Sequence, residues 1–140
     1  MCGILGILDL RGIKESSLTK MRDSMVHRGP DDCGLWISDD KTVGLAHRRL
    51  SILDLSEAGR QPMSDSEERV WITFNGEIYN FQEIREELKK RGYIFRTRTD
   101  TEVIINAYKE WGTDCVKKFN GMFAFGIYDD RNKFFFFSTR

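Results

Sequence analysis

Position 2 holds a residue that could act as a nucleophile with its own base. The chain opens Met1-Cys2-Gly3, so removal of the initiator methionine would make Cys2 the amino terminus. A free α-amino group titrates at about pH 7.7 to 8.0, and its neutral form can accept the proton of a neighbouring thiol. Such a cysteine could carry out acyl transfer without a separate histidine. The competing interpretation is a small apolar residue at the start of a buried strand.

Three polar clusters could complete such a site. Arg49 could bind a carboxylate through two parallel hydrogen bonds. The pair Asn75-Gly76 offers a side-chain amide and a backbone N–H, which suit an oxyanion, although the same pair is common in tight turns. The segment Thr99-Asp100-Thr101-Glu102 is typical of a helix cap and adds acidic groups. Together with Cys2, the clusters could hold a free amino acid and attack its side-chain amide.

These residues depend on strands and helices to bring them together. Short apolar runs predict strands, and apolar residues recurring every third or fourth position predict helices. Asn75-Gly76 is expected to end a strand in a turn, and residues 54–69 are expected to be irregular. The predicted strands span residues 2–8, 34–38, 43–48, 70–74, 93–96, 122–128 and 133–139, and the predicted helices span residues 16–26, 81–90 and 101–111.

Composition narrows the class of protein. With 140 residues, 40% of them hydrophobic and 31% charged, the sequence predicts one globular domain. The 22 basic and 22 acidic residues balance, so no charge excess points to nucleic acid. No apolar segment has the length of a membrane helix, and the apolar opening is too short for a secretory signal. Three cysteines without paired spacing argue against disulfides and structural zinc and favour a cytoplasmic location.

The run Phe134–Phe137 needs cover on both faces of its strand. Either the core of the domain encloses these rings or the chain has been cut short. Our expectation is a truncated chain.

Long motifs follow one another along the whole chain: MCGILGI, HRGPDDCG, LAHRRLSILDLSEAGRQPM, FNGEIYN, RTDTEVI and NGMFAFGIYD. In these motifs the chain resembles the amino-terminal glutaminase domain of glutamine-hydrolysing asparagine synthetases, within the class II glutamine amidotransferases. The resemblance implies an α+β fold, a four-layer αββα Ntn-hydrolase sandwich of two mainly antiparallel sheets that is incomplete at its C-terminal end. It implies that residues 1–140 form a partial glutaminase domain and that a synthetase domain is absent.

The resemblance also implies roles in catalysis. Cys2 would attack the side-chain carbonyl of glutamine, and ammonia would leave. Asn75 and Gly76 would form the oxyanion hole through a side-chain amide and a backbone N–H. The loop at residues 27–31 would shape the pocket without a chemical role of its own.

The same resemblance implies how glutamine is held. Arg49 would bind the α-carboxylate, while Glu77 and Asp100, beside Asn75 and Gly76, would contact the α-ammonium group. The stretch that begins at Arg49 would line the pocket through Leu50, Ser51, Ile52 and Leu53.

No residue of the chain calls for a metal or an organic cofactor, and ATP and magnesium are expected only in the synthetase domain. The expected partners are glutamine, a synthetase domain in cis or in trans, and a second copy of the chain in a homodimer, with neither nucleic acid nor membrane. The ammonia would serve the ATP-dependent amidation of aspartate to asparagine.

Three alternatives stay open. The chain could be a non-catalytic glutamine-binding or structural fragment. It could also be the glutaminase domain of an amidotransferase with another acceptor. A cysteine hydrolase that uses His27 or His47 is the competing mechanism, although both histidines lie inside the family's motifs.

Overall fold

The computed structural model describes residues 1–50 and 59–140. In this part of the chain the strands are β1 (Gly3–Leu8), β2 (Asp32–Ile37), β3 (Val43–Arg49), β4 (Met63–Ser64), β5 (Val70–Ile78), β6 (Gly121–Asp129) and β7 (Phe134–Thr139). The helices are α1 (Glu15–Asp23), α2 (Phe81–Lys90) and α3 (Asp100–Trp111), which continues into a 3₁₀ helix at Gly112–Lys118.

The strands form two antiparallel sheets that lie face to face. Sheet A has the order β1-β3-β2, and sheet B has the order β4-β5-β6-β7. Side chains alternate between the two faces of a strand, so each sheet turns one set of residues toward the other. Trp36 of sheet A stacks on Trp71 of sheet B with ring centroids 4.7 Å apart, and Thr73 Oγ1 donates to the carbonyl of Ala46 at 3.0 Å.

Helices cover the outer faces of both sheets. On sheet A, Leu18 of α1 packs with Ile13 and Ala46. On sheet B, apolar residues of α2 and α3, such as Leu88 and Ile104, join the larger core. The resulting order of layers confirms the predicted αββα sandwich. The longest described helix, α3, has 12 residues, and no helix within residues 1–50 and 59–140 has the length and hydropathy needed to cross a membrane.

The predicted strand at residues 93–96 is wrong, because this segment has no strand. The backbone N–H groups of Arg96 and Thr97 donate to the carboxylate of Glu102 at 2.8 and 2.6 Å. A side chain therefore takes the hydrogen bonds that a neighbouring strand would have supplied. The expected capping role of Thr99 is confirmed, since its side chain accepts from the N–H of Glu102.

The predicted turn at Asn75-Gly76 is also wrong. Strand β5 continues to Ile78, and Asn75 and Gly76 pair with Ala124 and Phe123 of β6. Only Gly76 of the pair has a positive φ, at 139°. The long ladder to β6 outweighs the local preference of the pair for a turn. A further strand, β4, lies within residues 54–69, which the sequence predicts to be irregular.

The core covers the phenylalanine run in part. Phe136 packs against Phe125 and Tyr108 on the helical side of sheet B. Phe135 and Phe137 point toward sheet A, where a Cβ on Gly6 would lie 2.7 and 2.9 Å from their ring tips. Phe137 nevertheless stays 53% exposed at the edge of the sandwich.

Candidate functional site

A cavity of about 630 Å³ opens where the two sheets meet, beside the amino terminus and the start of α3. It brings together residues far apart in the chain, such as Cys2 and Asp100, which are separated by 98 positions. The predicted site residues on its lining include Cys2, Arg49, Asn75, Gly76, Glu77 and Asp100.

Cys2 lies immediately before β1 and contacts both sheets. Its backbone nitrogen donates to Asn75 Oδ1 at 3.0 Å, and the N–H of Leu50 donates to its Sγ at 3.5 Å. Leu50 also lines the cavity. The N–H of Leu50 is thus placed to stabilise negative charge on the sulfur.

The amide of Asn75 is oriented by its contact with Cys2. Because Oδ1 accepts from the Cys2 nitrogen, the Nδ2 group with its two N–H donors forms the other end of the amide. Alternation along β5 turns Asn75 toward sheet A, as it does Thr73. The side chain therefore reaches across the gap between the sheets.

Gly76 allows a close approach of β5 and β6 that a side chain would prevent. A Cβ at this position would lie 2.2 Å from the carbonyl oxygen of Met122 and 2.6 Å from Cα of Phe123. Its φ of 139° is also unfavourable for other residues. The absence of a side chain also leaves the backbone of Gly76 exposed on the cavity lining.

Arg49 ends β3 and lies on the cavity lining. A Cβ on Gly59 would lie 3.1 Å from Arg49 Nη2, so the absence of a side chain there leaves room for the guanidinium group. Three further predicted pocket residues, Ser51, Ile52 and Leu53, lie outside the described residues.

Two carboxylates, Glu77 and Asp100, meet at the cavity. Asp100 Oδ2 accepts from the N–H of Ile78 at 3.2 Å. Burial raises the pKa of Asp100 above its ordinary value, the N–H of Ile78 opposes the shift, and the charge of Glu77 adds to it. A cation placed beside both groups would relieve this unfavourable concentration of negative charge.

The two histidines differ in their relation to the cavity. His47 lines it and is 2% exposed. Burial lowers the pKa of His47 to about 4, a hydrogen bond with the backbone of Phe74 opposes the shift, and the charge of Arg49 adds to it. His47 is therefore neutral near pH 7 and a weak base. His27 is exposed and does not line the cavity.

The loop at residues 27–31 supports the site from behind. A Cβ on Gly29 would lie 2.4 Å from the carbonyl carbon of Arg48, and the N–H of Asp31 donates to the carbonyl of Arg49 at 3.1 Å. The loop thus holds the end of β3, while none of its residues lines the cavity.

Sequence reasoning missed several lining residues. Gln61 is 9% exposed and accepts a hydrogen bond from the backbone of Phe74. Tyr79 and Met122 are 57% and 68% exposed at the cavity. Gln61 lies inside a matched motif, but nothing in its local sequence indicates which strand its side chain contacts. Among residues 1–50 and 59–140, no group of three or more His, Cys, Asp or Glu side chains could hold a metal ion.

Comparison with protein families and known proteins agrees with this geometry. Residues 1–139 match the model of a glutamine amidotransferase domain. The chain is 43% identical over 134 residues to asparagine synthetase [glutamine-hydrolyzing] 1 of Bacillus subtilis, which covers 92% of this chain and 21% of that protein. It is 42% identical over 155 residues to the putative asparagine synthetase [glutamine-hydrolyzing] 2 of Methanocaldococcus jannaschii, covering 99% of this chain and 30% of that protein.

Two solved structures share the fold. Glutamine phosphoribosylpyrophosphate amidotransferase from Bacillus subtilis, complexed with ADP and GMP, superposes with a TM-score of 0.70 at 20% identity over 92% of this chain and 35% of its own. A structure described as the allosteric regulatory enzyme of purine biosynthesis gives 0.71 at 19% identity, over 91% of this chain and 35% of its own. The chain therefore spans less than a third of the two synthetases and about a third of these structures.

Proposed function

The chain belongs to the glutamine amidotransferase domain family, and on that premise we propose that it hydrolyses glutamine to glutamate and ammonia with Cys2 as the nucleophile. The observation that carries the proposal is the 3.0 Å contact between the Cys2 nitrogen and Asn75 Oδ1. This contact connects the nucleophile with the oxyanion donor. The cavity around them is also lined by the guanidinium group of Arg49 and the carboxylates of Glu77 and Asp100.

The reaction begins at Cys2 after Met1 has been removed. The neutral α-amine takes the thiol proton, and the sulfur attacks the side-chain carbonyl carbon of glutamine to form a tetrahedral intermediate. The amine then returns the proton to the amide nitrogen, the carbon–nitrogen bond breaks and ammonia leaves. Water attacks the resulting thioester by the same route, which releases glutamate and restores the thiol.

The oxyanion of each intermediate lies between Asn75 and Gly76. The Nδ2 group of Asn75 and the backbone N–H of Gly76 supply two donors on the cavity lining. Donors held in place before the reaction stabilise developing charge without reorganisation, and loss of one typically costs about 100- to 1000-fold in turnover.

Glutamine is held by charge at its other end. Arg49 binds the α-carboxylate in a bidentate arrangement, while Glu77 and Asp100 contact the α-ammonium group. This assignment is consistent with the raised pKa of Asp100, since a cation offsets the burial of its carboxylate and the charge of Glu77.

The wider context comes from the relatives. We propose that the ammonia passes to a synthetase domain in cis or in trans, which amidates aspartate with ATP and magnesium. A homodimer, a cytoplasmic location, and the absence of metal and cofactor from residues 1–140 stay predictions, and so does the assignment of these residues to a partial glutaminase domain.

The test combines intact mass with a coupled glutamate assay. We expect a mass that lacks Met1, release of glutamate and ammonia from glutamine, and loss of turnover in Cys2→Ala. Turnover unchanged in Cys2→Ala, or an active protein that retains Met1, would contradict the mechanism.

A second candidate is a non-catalytic glutamine-binding domain. It is favoured by the charged lining of Arg49, Glu77 and Asp100, which would hold glutamine whether or not Cys2 has a free α-amine. A protein that binds glutamine and releases no ammonia after removal of Met1 would support this candidate.

A further inference from the structure

Strand β5 has one edge that faces the cavity. Its odd-numbered residues direct their N–H groups toward β6. The same pattern extends just beyond the strand, where the N–H of Tyr79 donates to the carbonyl of Asn120 at 2.7 Å. Its even-numbered residues direct theirs to the opposite edge, where Val70 donates to Asp65 Oδ1. In the described part of the chain, β4 covers this second edge only at Trp71 and Ile72.

Beyond β4, side chains replace a neighbouring strand. The N–H of Phe74 donates to Gln61 Oε1 at 2.6 Å, and the N–H of Ile78 donates to Asp100 Oδ2 at 3.2 Å. Gly76 lies midway between them, so its N–H points to the same edge, toward the cavity. Two side chains therefore hold β5 on either side of the amide that would bind the oxyanion.

Gln61 is anchored on sheet A as well. Its carbonyl oxygen lies so close to β2 that a Cβ on Gly34 would be 1.8 Å from it. In the register of Met63 with Ile72, a regular strand would use this carbonyl to bind the N–H of Phe74. Instead the carbonyl turns to sheet A and the side-chain oxygen takes its place, so one residue connects both sheets beside the cavity.

We propose that Gln61 is a positioning residue for the oxyanion donors Asn75 and Gly76, an inference that rests on the proposed function. Its side-chain oxygen accepts from the backbone N–H of Phe74, so the role we assign to Gln61 acts through β5 rather than through the nucleophile or the substrate. It holds the edge of β5 at Phe74, and this contact sets the position of the next two residues relative to Cys2. Because the substrate's charged end is bound elsewhere, loss of Gln61 affects turnover rather than glutamine binding.

The kinetic test uses the protein with Met1 removed and compares three variants. Gln61→Met keeps the side-chain length without the oxygen, whereas Gln61→Glu keeps an acceptor. We expect Gln61→Met to lower kcat about 10- to 100-fold, since a misplacement of about 1 Å costs roughly 100-fold, with little change in KM. Gln61→Glu should recover most of the loss. If Gln61→Met does not fold, Gln61→Asn tests the same contact, because it shortens the amide by one methylene.

The matched control is Thr73→Val. It removes a buried hydrogen bond between the side chain of Thr73 and the carbonyl of Ala46 on sheet A and leaves the edge of β5 intact. It should lower the midpoint of thermal unfolding while kcat stays close to that of the wild type. The proposal is overturned if Gln61→Met keeps its kcat, or if it raises KM to the same extent as it lowers kcat.

Hydrogen exchange tests the contact independently of activity. The amides of Phe74, Asn75 and Glu77 should exchange at least tenfold faster in Gln61→Met and at the wild-type rate in Gln61→Glu, while residues 70–72 stay protected. Unchanged exchange at these three amides overturns the role of Gln61. If exchange changes as expected but no protein, including the wild type, hydrolyses glutamine, the proposed function fails and the positioning contact stands.

Discussion

Asn75 shows how a single side chain can serve two steps of the proposed chemistry. Its Oδ1 accepts from the Cys2 nitrogen at 3.0 Å, which orients the nitrogen that would act as the base. The same contact leaves Nδ2 as a donor for the oxyanion. Because an amide has one acceptor end and one donor end, the two functions can be separated by substitution.

Asn75→Asp is expected to keep the acceptor and lose the donor. We expect kcat for glutamine hydrolysis to fall about 100- to 1000-fold, with KM changed only slightly. Asn75→Ala removes both ends and should be at least as severe. Steady-state kinetics of the two variants provide the measurement, and an Asn75→Asp protein as active as the wild type would show that Nδ2 is not an oxyanion donor.

Asp100 should make glutamine binding depend on pH. Burial and the charge of Glu77 raise the pKa of its carboxyl, so protonation removes the negative charge at a higher pH than for an ordinary aspartate. KM for glutamine should therefore rise as the pH falls through this pKa. Asp100→Asn should flatten the acidic limb of the KM profile and raise KM at neutral pH by roughly tenfold, about 1.4 kcal/mol. An acidic limb that is the same in both proteins would contradict the assignment.

Asp100→Asn should weaken glutamine binding but stabilise the fold at neutral pH. A raised pKa means that the folded chain binds the proton more tightly than the unfolded chain, so the stability that this group contributes at low pH is lost as the pH rises through the folded-state pKa. Asp100→Asn removes the buried charge and keeps an oxygen for the N–H of Ile78. We expect a higher free energy of unfolding at neutral pH, measured by urea denaturation.

At the scale of elements, the loop before α3 is held by buried side chains rather than by a strand. Arg85 of α2 donates to the carbonyls of Thr97 and Thr99 at 2.8 and 3.1 Å and lies 4.5 Å from the ring centroid of Phe95. These contacts position the residue that follows Thr99, which is Asp100. Helix α2 thus contributes to the core and also positions one wall of the cavity.

Arg85→Met should loosen this loop. We expect the free energy of unfolding to fall by about 3 kcal/mol, because the buried Arg85 leaves and two partly buried carbonyls lose a charged donor. KM for glutamine should rise with little change in kcat. The matched control is Arg91→Met, one residue after the end of the same helix, whose exposed ion pairs with Glu87 and Glu110 should be worth less than about 1 kcal/mol. Equal effects of the two variants on KM would argue against the loop's role.

At the scale of the whole molecule, the site depends on how closely the two sheets approach. Cys2 immediately precedes β1 of sheet A, whereas Asn75 and Gly76 belong to β5 of sheet B. Gly34 of sheet A meets the backbone of Gln61 with no room for a side chain. The spacing between the sheets at this point therefore determines whether the nucleophile and the oxyanion donors meet.

Gly34→Ala should force the sheets apart. An added Cβ would lie 1.8 Å from a backbone oxygen, so we expect a loss of about 3 kcal/mol in the free energy of unfolding and a fall in kcat. The control is Gly92→Ala, which has a φ of 94° and nothing within 4 Å of the added Cβ, and should cost about 1 kcal/mol without affecting kcat. A Gly34→Ala protein with wild-type kcat would show that the spacing is not critical.

The sequence by itself determined the elements whose signals are local. Apolar periodicity predicted α2 and α3, the short apolar runs at residues 34–38 and 43–48 predicted β2 and β3, and Thr99 predicted the start of α3. The family resemblance that the motifs carry also grouped Cys2 with residues that line the cavity. What the sequence left open was how those stretches are oriented.

Only the tertiary structure decided the features that depend on partners distant in sequence. Asn75-Gly76 reads as a turn by itself, but pairing with β6 keeps it in a strand. Residues 93–96 have strand propensity, but the backbone N–H groups of Arg96 and Thr97 donate to the carboxylate of Glu102 instead of to a neighbouring strand. Gln61 has no local signal, because its oxygen serves Phe74 on another strand. In each case the hydrogen bond that sets the geometry joins groups whose proximity only the folded chain creates.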